Sequence, residues 1–326
     1  MILNKMAANQ PLVSIIIITY NSSKWVLETL DSAIAQTYPN TEIIITDDCS
    51  TDDTLAVCRK WMEEHKSSGK SIRLVEAQKN TGTTGNHQRG VDASHGEWIK
   101  CIAGDDILAP TAIESYVDYV TTHPNVKHLR ACAVHFTGDF AEADLDKHDK
   151  ISQFMYRDEV TAKDQFKVIT KTFFGSGPTY FYKAEALREI GGYDERFPMQ
   201  EDYPMFIKMI GKGYKMMYMD KVTVYKRVVP TSIQYDTNNG AIFPKNKVRM
   251  IRDWRYEYKM EQLGPIWRLF LRYSLWLQNT IISWGNTYDS FKCRALFLVC
   301  RLTDPFGWCE RWLAYKNSQY LKRHHS

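Results

Sequence analysis

An unbroken run of β-branched residues near the N-terminus is the feature that most restricts the fold. Residues 13–19, VSIIIIT, form a continuous apolar run, which is typical of a strand buried on both faces. Apolar side chains at helical spacing follow it, and the same alternation is then repeated. The predicted strands are 13–19, 42–46, 72–77 and 97–103, and the predicted helices are 23–36, 53–65, 84–94 and 111–122. Strands that alternate with helices across short links indicate an α/β fold with a parallel sheet and helices on both faces.

Polar residues follow each of the four predicted strands. They are Tyr20 and Asn21, then Asp47 and Asp48, then Asn80 and Gly82, and finally Asp105 and Asp106. Any one of these clusters alone is explained as a solvated loop. Because ligands of parallel sheets bind at the carboxyl ends of the strands, four clusters at four successive ends predict one shared binding site.

The adjacent carboxylates Asp105 and Asp106 lie between an apolar strand and a helix that starts after Pro110. Neighbouring carboxylates repel each other, and a divalent cation such as Mg²⁺ or Mn²⁺ that also binds a diphosphate would relieve the repulsion. The alternative is a pair of helix N-cap residues stabilised by the helix dipole. The two residues alone do not separate these interpretations.

Two further acidic pairs also have two interpretations each. Asp47-Asp48 leads into a helix-start sequence, in which Ser50 or Asp52 fits the cap of the predicted helix 53–65. Glu201-Asp202 begins a predicted helix at 202–211 and fits a cap itself. Alternatively, a carboxylate at a strand end accepts hydrogen bonds from a base or ribose, and Asp202 acts as a general base on an acceptor hydroxyl. A helix N-terminus is expected to keep Asp202 ionised near neutral pH.

Several other catalytic patterns are missing from the sequence. The nine histidines form no HExxH motif, no GxSxG or GxxxxGK[ST] pattern occurs, and the first strand is followed by TYNSSKW rather than GxGxxG. Zinc-protease, hydrolase, P-loop and NAD-type chemistry therefore lack support. Seven cysteines without a CxxC pair argue against a disulfide framework and a structural zinc site, and they predict a reducing, cytoplasmic location.

Charge is unevenly distributed along the 326 residues, whose net charge is +4. Residues 245–326 hold 15 Lys and Arg against 6 Asp and Glu, whereas residues 1–244 hold 27 against 32. We predict a main domain at 1–244 and a basic, aromatic helical extension at 245–326. The polar segment 137–165 has no clear periodicity and is expected to be a surface connection or a loop.

The basic extension favours an anionic partner and has two interpretations. Its helices either pack on the catalytic domain or lie on a membrane surface, since interfacial helices combine aromatic and basic residues. The residues of this pattern are Trp267, Leu269, Phe270, Leu271, Leu275, Trp276 and Leu277, mixed with Arg268 and Arg272. The uncharged stretch 273–288 is shorter than the ~20 apolar residues that span a bilayer. With no signal peptide evident, we expect a cytoplasmic protein, either free or peripheral on the inner face of the cytoplasmic membrane.

Six segments of the sequence occur in a characteristic order. They are VSIIIITYN, TDDCSTDDT, NTGTTGNHQRGVDASHGEWI, AGDDIL, GPTYFYKAEALREIGGYDERF and QEDYPMFIKMIGKGY. In order and spacing they resemble the bacterial family 2 glycosyltransferases over residues 12–235. The resemblance implies the GT-A fold, a Rossmann-like mixed sheet with a parallel N-terminal half. It also implies an inverting hexosyltransferase that uses a nucleotide sugar, usually a UDP-sugar, together with Mn²⁺ or Mg²⁺.

The resemblance also implies a role for individual residues. The donor nucleotide would be bound by Thr19, Tyr20, Asn21, Asp48, Asn80 and Gly82, with Asp48 hydrogen-bonded to the base. Asp105 and Asp106 would bind the metal and the donor diphosphate, with Asp106 as the direct ligand. Asp202 would be the catalytic base, and Glu201 and Gly177 would contact the acceptor. The implied acceptor is a hydroxyl of a glycan or a lipid-linked molecule, in surface polysaccharide synthesis.

The resemblance also divides the chain by function. It implies that residues 1–244 form the catalytic domain, with a nucleotide-binding half at about 12–125 and an acceptor half at about 126–244. The segments 137–165 and 230–245 would then help to select the acceptor.

The sequence departs from the family pattern at a few positions. Ala103 stands where many relatives carry the first acid of a DxD motif, so the metal site depends on the adjacent pair Asp105-Asp106. His87-Gln88 and Val229 replace an Arg-Asn pair and a histidine, so those contacts are not carried over. The alternatives are a nucleotidyltransferase, a non-catalytic nucleotide-sugar-binding protein, and a nucleic-acid-binding protein that uses the basic extension. Nucleic acid is not expected as a partner.

Overall fold

The computed structural model of the protein describes residues 10–140, 153–172, 174, 178–228, 240–243, 248 and 255–324. The chain divides into two compact units. The first unit contains residues 1–151 and 176–227, and the second contains residues 152–175 and 228–326. The division of the chain at residue 244 into a catalytic domain and an extension stays a prediction.

The N-terminal half of the first unit has the predicted alternation of strands and helices. The elements are β1 Val13–Thr19, α1 Val26–Ile34, β2 Thr41–Asp47, α2 Thr54–Glu64, β3 Ser71–Glu76, α3 Gly82–Ala93 and β4 Trp98–Ala103. The four strands lie side by side in the order β3-β2-β1-β4, and all three pairings are parallel. Thr19 is in register with Asp47, and Ile18 is in register with Ala103. The carboxyl ends of β1, β2 and β4 therefore meet at one edge of the sheet.

The rest of the first unit extends this sheet to eight strands. The remaining elements, with one helix of the second unit in chain order, are β5 Ile107–Leu108, α4 Ala112–Thr122, β6 His128–Phe136, α5 Ala162–Ile169, β7 Tyr180–Lys183, α6 Ala184–Glu189, α7 Asp202–Gly211 and β8 Met216–Arg227. The full order is β3-β2-β1-β4-β7-β6-β8-β5. β7 is antiparallel to β4 and β6, β5 is antiparallel to β8, and β6 is parallel to β8. The sheet is therefore mixed, with a parallel N-terminal half.

Some predicted boundaries are wrong. The segment 137–165 was expected to be a loop, but α5 begins at Ala162 because Thr161 and Asp164 form a capping box that closes its first turn. The segment TFFGSGPTYFYK at 172–183 predicts strand structure broken by Gly175 and Gly177, whereas β7 covers Tyr180–Lys183. The segment ALREIGGYDERF at 186–197 predicts a short helix that ends at its glycine pair, and this is confirmed, since α6 ends at Glu189 just before Gly191. Residues 141–152 and most of 230–245 lie outside the described residues.

The core of the first unit lies between the sheet and the helices α1, α2 and α4. Ile15 and Ile17 of β1, Ile43 and Ile45 of β2, and Leu30 of α1 are fully buried in this cluster. Burial of a side chain of this size stabilises the fold by about 1.5–3 kcal/mol. The continuous β-branched runs are thus explained, because strands in the middle of the sheet are covered on both faces.

The second unit is helical in its C-terminal part. Its helices there are α8 Arg255–Gln262, α9 Pro265–Ser283, α10 Phe291–Thr303 and α11 Pro305–His324. A small apolar cluster joins Leu277 and Ile281 of α9 to Cys293 and Cys300 of α10. Among the helices that the structure describes, none has the length and apolar character needed to cross a membrane.

Candidate functional site

Backbone hydrogen bonds hold together the polar clusters that follow the parallel strands. The amide of Asp48 donates to Thr19 O at 3.0 Å, and the amide of Gly104 donates to Ile18 O at 2.9 Å. The amide of Ala77 donates to Asp47 O at 2.9 Å. The loops after β1, β2, β3 and β4 are consequently neighbours, as the sequence predicted.

The three residues at the end of β1 point in different directions. Thr19 is buried, and its Oγ1 donates to Asp47 Oδ2 at 2.8 Å, so its side chain faces the protein interior. Asn21 has a positive φ of 50°, and its Oδ1 accepts from the amide of Thr51 at 2.9 Å. Tyr20 is half exposed and is the aromatic side chain of this group that is free to contact a ligand.

The two aspartates after β2 organise the surrounding loops. Asp47 accepts hydrogen bonds from Ser50 N at 2.8 Å and from Ser50 Oγ at 2.6 Å. Asp48 accepts from Thr81 N and from Gly82 N, at 2.9 and 2.8 Å to Oδ2. Asp48 is therefore buried against the N-terminus of α3. Its assignment to the nucleotide base stays a prediction.

Asp48 is also paired with a basic residue that the sequence did not single out. Arg89 Nη2 lies 3.2 Å from Asp48 Oδ1 and 2.9 Å from Thr81 Oγ1. Its Nη1 donates to Asn86 Oδ1 at 2.8 Å, and Asn86 Nδ2 donates to Thr19 O at 3.0 Å. A chain of polar contacts therefore joins the end of β1 to α3.

Gly82 occupies a position that only glycine fits. Its φ is +81°, and an added Cβ would lie 2.8 Å from Pro198 Cβ and closer still to Pro198 O. Asn80 is exposed, and its Oδ1 accepts from the amide of Gly82 at 3.1 Å. The first turn of α3 is also fixed by Thr84, which donates from N to Pro198 O and from Oγ1 to Phe197 O, at 3.1 and 2.6 Å. The loop after β3 is thus tied to the segment that leads to Glu201 and Asp202.

Asp105 and Asp106 follow β4, as predicted, but they are not helix caps. The short strand β5 lies between this pair and α4, whose N-cap residue is Thr111. Asp106 is only 3% exposed, and its Oδ1 accepts from the amide of Arg227 at 2.9 Å. Its backbone oxygen accepts from Thr29 Oγ1 at 2.7 Å. The alternative explanation as a cap pair is therefore wrong for these two residues.

Both carboxyl groups of this pair are costly to ionise. Burial, followed by the neighbouring Asp105 carboxylate, raises the pKa of Asp106 to about 8. Burial also raises the pKa of Asp105. A divalent cation would offset this excess of negative charge, and Mg²⁺ and Mn²⁺ suit oxygen ligands of this kind. The donor set thus fits such an ion.

The described residues include no group of three or more His, Cys, Asp and Glu side chains that is arranged to hold a metal ion. A cation at Asp105-Asp106 would take its remaining ligands from water and from phosphate oxygens. That division is usual for Mg²⁺, which commonly binds one or two carboxylates plus substrate phosphates. The pair thus fits a metal that arrives with a diphosphate.

Arg227, at the end of β8, fixes this pair and was missed from the sequence. Its Nε donates to Asp105 O at 3.1 Å, and its Nη2 donates to Glu28 Oε2 at 2.8 Å. Its guanidinium carbon lies 3.9 Å from the ring centre of Trp25 and 4.6 Å from that of Phe136. No local sequence signal identifies such a residue, because its partners come from distant elements.

Asp202 is the first residue of α7, and Glu201 is its N-cap residue, without a side-chain capping bond. Burial, and then the charge of Glu201, raise the pKa of Asp202 well above its ordinary value, and Lys226, Arg130 and Lys100 oppose the shift. Burial and the charge of Glu201 therefore oppose the ionisation that the helix N-terminus was expected to favour. When ionised, Asp202 is a stronger base than an ordinary aspartate.

Lys100 is a second residue that the sequence analysis missed. It lies in β4 and is completely buried, and its Nζ donates to Cys101 O at 2.9 Å and to Pro178 O. Burial lowers the pKa of Lys100 to about 8, while Asp106 and Asp202 both oppose that shift. A lysine within the apolar segment EWIKCIA was the available signal. The charges of Asp106 and Asp202 therefore both act on Lys100.

The predicted position Gly177 and the departure from the family pattern at His87-Gln88 remain. Gly177 lies outside the described residues. His87, where relatives carry arginine, is buried, and its Nδ1 lies 2.9 Å from Thr83 O. Gln88 Oε1 accepts from the amide of Tyr193 at 2.9 Å. These two side chains hold α3 against the segment that follows α6.

Comparison with known proteins identifies one family. The profile of glycosyl transferase family 2 matches residues 14–191, which is more than half of the chain. TuaG of Bacillus subtilis, a glycosyltransferase assigned to teichuronic acid biosynthesis, is 24% identical over 224 residues, covering 69% of this chain and 82% of TuaG.

Solved structures share the fold. Staphylococcus aureus TarS 1–349 in complex with UDP-GlcNAc has a TM-score of 0.56 at 17% identity, covering 95% of this chain and 91% of TarS 1–349. The mannosyltransferase PcManGT of Pyrobaculum calidifontis, in complex with GDP-Man and Mn²⁺, has a TM-score of 0.52 at 18% identity, covering 96% and 88% of the two chains. The mixed sheet is of the GT-A type and is followed by C-terminal helices. The chain belongs to glycosyl transferase family 2 and is a glycosyltransferase that uses a nucleotide sugar.

Proposed function

We propose that this glycosyltransferase is inverting and metal-dependent, and that it moves a sugar from a UDP-sugar to a hydroxyl of a glycan or lipid-linked acceptor in surface polysaccharide synthesis. The observation that carries the proposal is that Asp106 and Asp202 share Lys100 and Lys226 as charged neighbours. Both carboxyl groups therefore lie within electrostatic range of the same two lysines. UDP as the nucleotide and surface polysaccharide as the product are supported by what TarS binds and by the assignment of TuaG.

The donor would lie along the carboxyl edge of β1, β2 and β4. Tyr20 presents an exposed ring for contact with the base, while Asn21 and Asp48 hold the loops around it. Asp105 and Asp106 are the residues that would hold Mn²⁺ or Mg²⁺, and that ion supplies positive charge to the leaving diphosphate. The Mn²⁺ in the PcManGT structure supports the choice of ion.

Asp202 would accept the proton of the acceptor hydroxyl. The hydroxyl oxygen forms a bond to the anomeric carbon, and the bond from that carbon to the diphosphate oxygen breaks. The proton stays on the Asp202 carboxyl group, whose raised pKa favours the transfer. Lys100 and Lys226 favour the ionised form of Asp202, which is the form that accepts the proton. Glu201 and Gly177 are proposed to contact the acceptor.

A cytoplasmic location is part of the proposal. All seven cysteines are unpaired, as is usual for proteins in a reducing compartment. The nucleotidyltransferase and non-catalytic alternatives have no observation in their favour, and family membership disfavours both.

Calorimetric titration with UDP tests the donor site. The intact protein should bind UDP more tightly with Mn²⁺ than with EDTA, and Asp106→Ala should abolish that difference. Asp118→Ala removes an exposed carboxylate of α4 and should leave the difference intact. Equal enhancement by Mn²⁺ in Asp106→Ala and in the intact protein would contradict the metal assignment. A thermal-shift screen of nucleotide sugars then identifies the donor.

A further inference from the structure

Helix α9 has a buried face and, on another side, an exposed apolar face. Leu271, Ser274, Gln278 and Ile281 are buried at spacings of three and four residues, which is the pattern of a face packed on the protein. A second set on α9 has the same spacing but is exposed: Ile266, Leu269, Tyr273 and Trp276, with Trp276 60% exposed. We call this second set the outer face of α9, and nothing in the fold requires it to be apolar.

Helix α10 repeats this arrangement. Cys293 and Cys300 are buried in the cluster shared with α9. Phe291, Leu298 and Leu302 lie on the opposite side at spacings of seven and four residues, and they are 75%, 58% and 62% exposed. We call these three residues the outer face of α10. Exposed apolar sets of this kind on consecutive helices mark an interaction surface.

The apolar residues that the sequence analysis grouped together differ in solvent exposure. Leu269, Phe270 and Trp276 point outward, whereas Leu271 and Leu277 are buried. The prediction of a membrane-surface helix therefore applies only to the outward residues Leu269, Phe270 and Trp276.

Basic residues border both outer faces. Arg272 stands three residues after Leu269 and four before Trp276, so it lies along the edge of the α9 face. Arg294 and Arg301 border the α10 face in the same way, and all three arginines are exposed. Residues 265–324 contain nine Lys and Arg against three Asp and Glu. The surface is thus both apolar and positively charged.

An open groove lies along the outer face of α9. The groove has a volume of about 530 Å³ and is lined by Leu269, Phe270, Arg272, Tyr273, Trp276 and Thr303. Tyr273 Oη lies 2.9 Å from Thr303 Oγ1, next to Leu302, so α9 and the end of α10 are joined at this point. An apolar groove with an arginine at its rim suits an acyl chain beneath an anionic headgroup.

We propose that the outer faces of α9 and α10 bind the surface of an anionic lipid bilayer. The charge decides between occupants: anionic headgroups neutralise the bordering arginines, whereas a second copy of the same face would bring like charges together. The helices lie on the membrane, since none that the structure describes is suited to cross it. This inference goes beyond glycosyl transfer and does not depend on it.

Co-sedimentation of the full chain with vesicles tests the proposal. Vesicles of phosphatidylcholine containing about a third phosphatidylglycerol should bind the protein, and vesicles of phosphatidylcholine alone should bind it about tenfold less. Leu298→Asn with Leu302→Asn should weaken binding by about tenfold, because it removes inserted apolar surface. Leu27→Asn, at an exposed leucine of the first unit, is the matched control and should bind as the intact protein does.

Charge reversal provides a second, independent pair of variants. Arg294→Glu with Arg301→Glu should lower binding to anionic vesicles by about tenfold or more. Lys60→Glu with Lys66→Glu makes the same charge change on exposed lysines beyond the outer faces and should leave binding within about twofold. Circular dichroism confirms that each variant is folded.

Three results would overturn the proposal. The first is no sedimentation with anionic vesicles. The second is equal loss of binding in each variant and its control. The third is a dimer, seen by light scattering, that Leu298→Asn with Leu302→Asn dissociates, since it would show that a second copy covers the face.

Discussion

Arg227 donates its backbone amide to Asp106 Oδ1 at 2.9 Å, at the point where β8 ends. The same residue binds the backbone of Asp105 through its guanidinium group. The carboxylate pair is therefore held by a strand that lies more than a hundred residues later in the chain. Since the amide contact survives any substitution except proline, changes at Arg227 test the guanidinium contacts alone.

Replacing Arg227 by lysine should loosen the carboxylate pair. Lysine keeps the charge, but it cannot donate to Asp105 O, Glu28 and Gly138 O together, as the guanidinium does. We expect Arg227→Lys to raise the Mn²⁺ concentration required for half-maximal activity by about 10–100-fold. It should also lower the free energy of unfolding by about 2–4 kcal/mol.

Arg59→Lys is the control for this change, because Arg59 forms an exposed pair with Glu76 and should contribute under about 1 kcal/mol. Urea unfolding and metal-dependent activity are the two measurements. An unchanged Mn²⁺ requirement in Arg227→Lys would show that Arg227 only supports the fold.

Asp202→Asn should remove the base without removing the donor site. The amide has nearly the shape of the carboxyl group but cannot take a proton at neutral pH. We expect kcat to fall by about 10²–10⁴-fold, while the dissociation constant for UDP with Mn²⁺ stays unchanged. Asp118→Asn on the exposed face of α4 should retain full turnover. Near-normal turnover of Asp202→Asn would remove Asp202 from the mechanism.

The sequence predicted the parallel half of the sheet because its strands carry a local signature. β1 and β2 are buried along nearly their whole length, so their β-branched runs are uninterrupted. β8 carries Asp220, Lys221 and Lys226 within twelve residues. These charged residues interrupt the apolar pattern by which a strand is recognised in a sequence. Its place in the sheet follows from pairing with β6 and β5, which are distant in sequence, and no local pattern encodes that pairing.

The candidate site was likewise predictable only where its residues carry a local sequence signal. Asp105 and Asp106 follow an apolar strand and were found from that position. Lys100 and Arg227 were not found: the lysine within EWIKCIA signals burial alone, and the role of either cation is recognisable only from its partners. Those partners are Pro178 for Lys100 and Glu28 for Arg227, and they adjoin only in the folded chain.

The stability of the metal-free protein should depend on pH through Asp106. Its pKa is about 8 in the folded protein and about 3.9 in the unfolded chain. Its contribution to stability is therefore fully present below about pH 3.9 and is lost as pH rises through about 8. We expect the free energy of unfolding in EDTA to fall between these values, and Asp106→Asn should reduce that fall.

Urea unfolding of the intact protein and of Asp106→Asn, from about pH 5 to about pH 9, measures the difference. Asp118→Asn is again the control and should follow the pH profile of the intact protein. A difference between Asp106→Asn and the intact protein that does not change with pH would contradict the raised pKa.

Two glycines with nearly equal φ allow the energetic cost of backbone strain to be measured apart from the cost of close packing. Gly82 has a φ of +81° and faces Pro198, whereas Gly69 has a φ of +76° and has nothing within 4 Å of an added Cβ. Gly69→Ala should cost about 1–2 kcal/mol, the strain of a left-handed alanine. Gly82→Ala should cost about 1–3 kcal/mol more, because Pro198 must also move. It should weaken UDP binding too, since Asp48 accepts the Gly82 amide. Urea unfolding and calorimetry compare the two variants, and equal losses of stability would show that the contact between α3 and Pro198 contributes nothing.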